Sequence, residues 1–503
     1  MKPIVEFLRF CQSWNTSASI NNKELKTNYY LFAGVILFLV FILSLTKFSA
    51  YFLPVMALLS VAAGSIIFSL AGIKNSFHLL LFSFPLSLNL PVNGDTHMMI
   101  PSELLVSSFA LSIIFTWIRE TDKFIIFLKS SVTIAILFYL LFAAFSALTS
   151  EMLMVSAKAL TVKIIFVIAF YGGGFIYFSN VNTKDTFLKY YLFPLLLVIG
   201  YVLIRHAEFS FSKDASGFVT RPFFQDHTIY SAVLAFLLPL TGIMMFRSHS
   251  ISKAGYFLSF LVILVAIVFA SSRAAWLSLI VASVFYLLIS FRIPVKAFAV
   301  FLLILPILVY FNADSLAWKL KSNRYDSGAR NASLEDQTRS VTNITNDQSN
   351  AERINRWKCA VRMFVEKPFT GFGPGTYQFV YFPFQRESEM TRISVKSPYN
   401  IAEGRGGTAH NEFLLVLSES GMFAAAAFMI AVLITIFTGL KLYYGTSGNY
   451  FDIAMLLAFI TFITHSLFNN FLDTDKAAVL FFIAMAYVAS RLREMKSSFS
   501  YER

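Results

Sequence analysis

Apolar runs of spanning or near-spanning length recur from residue 29 onward, and they constrain the fold more than any other feature of the chain. Lipid offers no hydrogen-bond partner to a bare backbone, so a chain that crosses it repeatedly crosses as helices. The runs lie near 29–46, 50–72, 77–91, 101–118, 127–148, 157–179, 188–205, 228–246, 254–271, 274–291 and 295–312. After a long polar interruption, three more follow near 412–440, 452–470 and 477–491. The 77–91 run is short and contains Pro85, which predicts a re-entrant or tilted segment. The pattern predicts 12 to 14 transmembrane helices. Only 14% of the residues are charged, against ~25% in soluble domains, so lipid must solvate most of the chain.

The net charge of +13 has a simpler source than a nucleic-acid partner. Short cytoplasmic loops of polytopic proteins carry surplus Lys and Arg. With a cytoplasmic N-terminus, the inner loops hold Lys74, Arg119, Lys123, Lys184, Arg247, Lys253, Arg292, Lys296 and Lys441, and the tail holds Arg491, Arg493 and Lys496. The short outer connections Pro91–Ile100 and Ser150–Ser156 contain neither Lys nor Arg. Lys47, Lys158 and Lys476 are exceptions at outer helix ends. Both termini are expected inside. The polar stretch Gln12–Lys26 ahead of the first long apolar run argues against a secretory signal. Two cysteines, Cys11 and Cys359, form no framework and no metal cluster.

These patterns divide the chain into a cytoplasmic segment at 1–28, a bundle at 29–312, a large outer loop at 313–410, further membrane helices at 411–491 and a cytoplasmic tail at 492–503. The first half of the loop is polar and poor in aliphatics, the composition of a solvated surface segment. In the second half Ile354, Trp357, Val361 and Phe364 fall at helical spacing and Pro368 stops the helix. That spacing predicts an amphipathic helix able to lie on the membrane surface.

The candidate chemical residues gather on the outer side. Arg273 stands at an outer turn in FASSRAAWLSL, where a cation at membrane depth is a functional candidate and a guanidinium suits phosphate oxygens. A snorkelling interface arginine is the structural alternative. Arg221, in VTRPFFQDHTIYSAV, lies before another helix on that side and reads equally as an exposed loop arginine. Arg353 and Arg356 share a helix face; they meet either lipid headgroups or a substrate pyrophosphate, with Arg356 favoured for the second role. His410 opens a hydrophobic helix, with Thr408 as the expected N-cap and Glu412 in the first turn. The positive end of that helix disfavours imidazolium and leaves the ring able to accept a proton. Of the other histidines, His249 is on the wrong side, His78 lies in a spanning run, and His97, His206 and His227 are in outer loops. His465, near Asn469 and Asn470, reads as structural. Asp473-Thr-Asp475 reads as a solvated turn with Lys476 as counter-charge, a divalent-ion site being its alternative. Gly371-Phe-Gly-Pro-Gly is a turn and not a phosphate cradle, and no HExxH or Cys motif suggests a metal. No cofactor is expected.

Three of these stretches together resemble the O-antigen ligase and polymerase superfamily of bacterial envelopes. They are SSRAAWLSL at 271–279, RINRWKCAVRMFVEKPFTGFGPGTYQF at 353–379 and TAHNEFLLVLSESGMF at 408–423. The likeness covers about 220 to 440, and the first half of the chain matches in hydropathy alone. It implies an all-α, GT-C-like integral membrane protein of the inner membrane whose large periplasmic loop carries amphipathic helices. It also implies metal-independent, inverting transfer of an undecaprenyl-pyrophosphate-linked glycan to a sugar hydroxyl of lipid A–core. By the same resemblance His410 would be the general base, and Arg273 and Arg221 would hold the pyrophosphate with help from Arg353 or Arg356. The chain departs from the family in the polar insert 320–350 and in Arg392–Gly407, which leaves the acceptor open. A polymerase or a protein O-oligosaccharyltransferase of the same superfamily is the alternative. A lipid-linked oligosaccharide transporter fits less well, because its charges should lie at mid-membrane and its sequence should show repeats.

Overall fold

The computed structural model describes residues 52–93, 96–179, 184–248, 250–294, 348–397, 407–445 and 449–501. The apolar runs near 29–46 and 295–312, most of the 320–350 insert, His249, Cys11 and the middle of Arg392–Gly407 lie outside these residues. Every other apolar run is helical at its core. In chain order the helices are α1 (Phe52–Ala71), α2 (Ile73–Leu86), α3 (Ser102–Arg119), α4 (Thr121–Leu128), α5 (Ser131–Leu148), α6 (Leu153–Phe178, with a π-turn at Val167–Gly172), α7 (Lys184–Ala207) and α8 (Lys213–Val219). They continue with α9 (His227–Arg247), α10 (Ser250–Phe269), α11 (Arg273–Ser290), α12 (Gln348–Glu366), α13 (Tyr377–Val380), α14 (Glu412–Gly445), α15 (Tyr450–Ser466) and α16 (Asp475–Tyr501).

Eight of the described helices are long and apolar enough to cross a membrane. Their outward faces are apolar as well: Met154 is 84% exposed and Ile251 90%. Such faces are stable against hydrocarbon and not against water. The chain is an all-α integral membrane protein. One segment departs from that class. The stretch after α2 turns back as an antiparallel hairpin, β1 (Leu88–Asn93) paired with β2 (Thr96–Ile100). The 77–91 run is thus the second half of a helix that starts at Ile73, with Pro85 in its last turn, followed by a strand. Two strands can satisfy each other's backbone where a connection leaves helical geometry.

The described chain forms two compact units. The first holds residues up to 134, 164–226 and 478 onward. In it α1 packs on α3, with the Phe68 ring edge-on to Phe109 at 6.0 Å. His78 joins Tyr177 by a 2.9 Å hydrogen bond and stacks on Tyr190 at 4.1 Å. The second unit holds 135–163 and 227–477. Its centre is α15, buried along nearly its whole length, as a helix apolar on all sides must be. Helices α9, α11 and α14 pack around α15, and α12 lies against α14.

Candidate active site

Helix α12 is the element on which the polar residues converge. Its buried face carries Glu352, Asn355, Arg356, Cys359, Ala360 and Met363, so the helix is rotated from the phase that Ile354, Trp357, Val361 and Phe364 predicted. Val361 is 46% exposed and Ile354, Trp357 and Phe364 are half-buried. The buried face is polar at one end because Glu352 and Arg356 satisfy each other there. Arg356 Nε donates to Glu352 Oε1 at 2.8 Å, and Thr391 and Ser394 hydroxyls donate to Oε2 at 2.7 and 2.6 Å. Burial works to raise the Glu352 carboxyl, but the Ser394 and Thr391 bonds and the Arg356 charge outweigh it and hold it below the usual range. The same guanidinium donates to Thr408 O at 3.2 Å and lies over the Tyr381 ring, 4.9 Å from its centroid. Arg356 therefore works inside the protein, bracing the loop segment that leads to His410. Burial also pushes the Cys359 thiol up to about 11.

The glycine-punctuated turn after α12 is a docking device. Phe372 N and Gly373 N donate to Ser418 O and Glu419 O at 3.2 and 2.7 Å, and Met422 N donates to Pro368 O at 2.8 Å. This short ladder joins the turn to a kink in α14 at Gly421. Backbones approach so closely that a Cβ on Gly371 would stand 2.3 Å from Glu419 O, and one on Gly421 2.3 Å from Phe369 O. Both glycines also have positive φ. The Glu419 carboxylate completes the joint by accepting from Tyr377 N at 3.0 Å. Gly371→Ala should therefore destabilise the protein by ~1–3 kcal/mol through overpacking and backbone strain. Thermal unfolding in detergent reads this as a lower apparent Tm, and an unchanged Tm would contradict the contact.

His410 lies at φ 51, a left-handed conformation that non-glycine residues rarely hold. Its neighbours fix it. Trp357 Nε1 donates to His410 O at 3.2 Å. Asn411, not Thr408, caps α14: its Oδ1 accepts from Leu414 N at 3.0 Å, and its Nδ2 donates to Leu467 O at 2.8 Å. Asn411 adjoins the first helical residue and so reaches the N3 amide, which Thr408 does not. Thr408 instead donates to Asn470 Oδ1. Glu412 is buried and accepts from Phe471 N and Leu472 N at 2.9 and 3.3 Å. The strip 408–412 is thus clamped along the turn after α15.

Besides Arg356, the structure brings three of the sequence candidates onto α12. Arg273, the first residue of α11, donates from Nη2 to Asn350 Oδ1 at 3.2 Å in the first turn of α12. Arg353 follows one turn later, and Trp357, one turn further, holds His410. Arg221 belongs to the first unit. There Arg205 Nη1 and the Tyr201 hydroxyl donate to its carbonyl at 2.5 and 3.3 Å, and its own Nε donates to Gln225 O at 3.3 Å. Of the Asp473 and Asp475 pair, Asp473 is exposed, as a solvated turn requires, whereas Asp475 is buried. Lys163 Nζ meets Asp473 Oδ1 at 2.9 Å, and buried Asp475 accepts from Lys476 N at 2.7 Å. No group of three or more metal-ligating side chains occurs among the described residues.

An all-α, multi-pass membrane protein whose loop helix gathers arginines beside a histidine is the class that this fold and site define. Residues 258–429 match the family model described as O-antigen ligase, which supports membership of the O-antigen ligase superfamily. The match runs from within α10 to within α14, so it includes Arg273, Arg353, Arg356 and His410 and excludes Arg221 and His465. No curated protein matches the chain. The family supports a membrane glycosyltransferase of the O-antigen ligase or polymerase type, with a lipid-linked glycan donor and a glycan or lipid acceptor.

Proposed function

We propose that the protein transfers a glycan en bloc from undecaprenyl pyrophosphate to a sugar hydroxyl of lipid A–core, with inversion, at the periplasmic face of a bacterial inner membrane. The observation that carries this reading is the row Arg273–Asn350, Arg353, Trp357–His410 along one helix. It sets cations for a leaving group on the element that holds a base for an acceptor. A departing pyrophosphate already bears charge, so cationic stabilisation helps it more than a strong acid would. Guanidinium groups supply that stabilisation with fixed hydrogen-bond geometry. His410 takes the proton from the attacking hydroxyl, and its oxygen then bonds to the anomeric carbon as the pyrophosphate leaves. We assign the leaving-group role to Arg273 and Arg353, with Arg356 as the brace of the histidine segment. The loop charge asymmetry of the sequence supports cytoplasmic termini.

Reconstituted protein with undecaprenyl-pyrophosphate-linked glycan and lipid A–core tests the reading. Transfer is expected, and chelator should leave its rate unchanged. Chelator inhibition reversed by a divalent ion would overturn the metal-independent scheme. The polymerase alternative is separated by the glycan profile of a knockout: loss of a ligase removes all capped lipopolysaccharide, whereas loss of a polymerase leaves a single-repeat cap.

A further inference from the structure

His465 is fully buried at the end of α15, yet neither ring nitrogen meets a hydrogen-bond partner among the described residues. The side-chain nitrogen of Asn469, four residues on and 5% exposed, is in the same condition. An imidazole always presents one N–H and a second polar nitrogen, and an apolar side chain of similar volume would be easier to bury there. Buried polar atoms left without a protein partner ask for a reason. Their surroundings give one. Phe471 packs edge-on to the imidazole at 5.0 Å. Trp357, on the same face of α12 as Arg353, has its ring 6.2 Å from Phe468 in the turn after α15. Arg353 and His227 are the charged and titratable groups that couple to the imidazole. His227 opens α9, which packs on α15. Arg353 is itself one helical turn from Asn350, which receives Arg273, and from Trp357, which holds His410.

We propose that His465, together with Asn469, donates hydrogen bonds to phosphate oxygens of the lipid diphosphate beside Arg353. The inference rests on the donor reading above and adds neutral N–H donors to its cationic arginines. Phosphate oxygens carry more lone pairs than one or two guanidinium groups fill, and neutral donors bind them without adding charge to a buried site. His465 is in this account a donor-binding residue and not a second base.

The test is binding of undecaprenyl pyrophosphate, without glycan, to the full chain in nanodiscs, alongside thermal unfolding. His465→Phe should bind the probe about tenfold or more weakly, the effect of a lost hydrogen bond to a charged group, with an apparent Tm equal to or above wild type. His465→Gln, which restores an N–H donor, should recover part of the affinity. Wild-type binding by His465→Phe would make the histidine a packing residue and end the proposal. Should both His465 variants fail to fold, Asn469→Leu reads the same group of donors, and its wild-type binding would overturn the proposal equally. If wild-type protein fails to bind the probe, the donor reading itself falls and this inference falls with it.

Discussion

Arg273→Lys is expected to lower kcat/KM for glycan transfer by ~10²–10³-fold while membrane insertion and folding stay normal. Asn350 holds one arm of the Arg273 fork at 3.2 Å, so the guanidinium plane is set by the first turn of α12 before substrate arrives. A lysine keeps the charge but presents a flexible point cation with no planar pair of donors. The group acts where negative charge grows on the leaving pyrophosphate, and removing one preorganised donor at such a place typically costs about 3–4 kcal/mol of transition-state stabilisation. Arg273→Ala should be worse, because the Asn350 amide then loses its partner too. Purified protein, a fluorescent glycan donor and initial rates at several donor concentrations are enough to measure it. Near wild-type turnover by Arg273→Ala would reduce this residue to an arginine reaching for the interface.

The membrane helices were legible because lipid forces the same solution on every apolar run, and α9, α10, α11 and α14 begin or end within a few residues of the expected places. Helix α12 was legible in existence and in its stop at Pro368, but not in phase. Hydrophobicity selects Ile354, Trp357, Val361 and Phe364, whereas the fold buries Glu352 and Arg356. The partners that make this tolerable are Thr391, Ser394 and Thr408, 39 to 52 residues away from them along the chain, and no local pattern announces them. The same blindness separates Arg353 from Arg356. Both are arginines one turn apart, and only the tertiary structure turns Arg356 into the loop core and leaves Arg353 half-buried. The hairpin at Leu88–Ile100 was missed because an apolar strand and the end of an apolar helix look alike over so few residues. Glu412 and Glu419 were visible within the third motif. Their use as acceptors for backbone amides at 471–472 and at 377 was not visible, since it depends on where two distant turns fold back.

His410→Gln should abolish transfer, falling by ~10²–10⁴-fold, the usual range of general-base help, while binding of the undecaprenyl-pyrophosphate donor stays near wild type. The structure separates these two effects. The contact that fixes residue 410 is made through its carbonyl, to Trp357 Nε1, and the helix start is fixed by Asn411. Neither depends on the imidazole, so a glutamine at 410 inherits the same backbone placement. It also inherits the strain: the left-handed φ of 51 must be held by the same neighbours. What the amide lacks is the capacity to take a proton from the acceptor hydroxyl. His410→Ala should be as inactive, and the two variants should agree if proton transfer is the lost function. Single-turnover transfer in nanodiscs, measured beside donor binding, distinguishes chemistry from affinity. A His410→Gln variant that transfers within a few-fold of wild type would show that residue 410 only shapes the loop. The base would then have to be sought at His227, which opens α9 in the same unit and couples to the His465 ring.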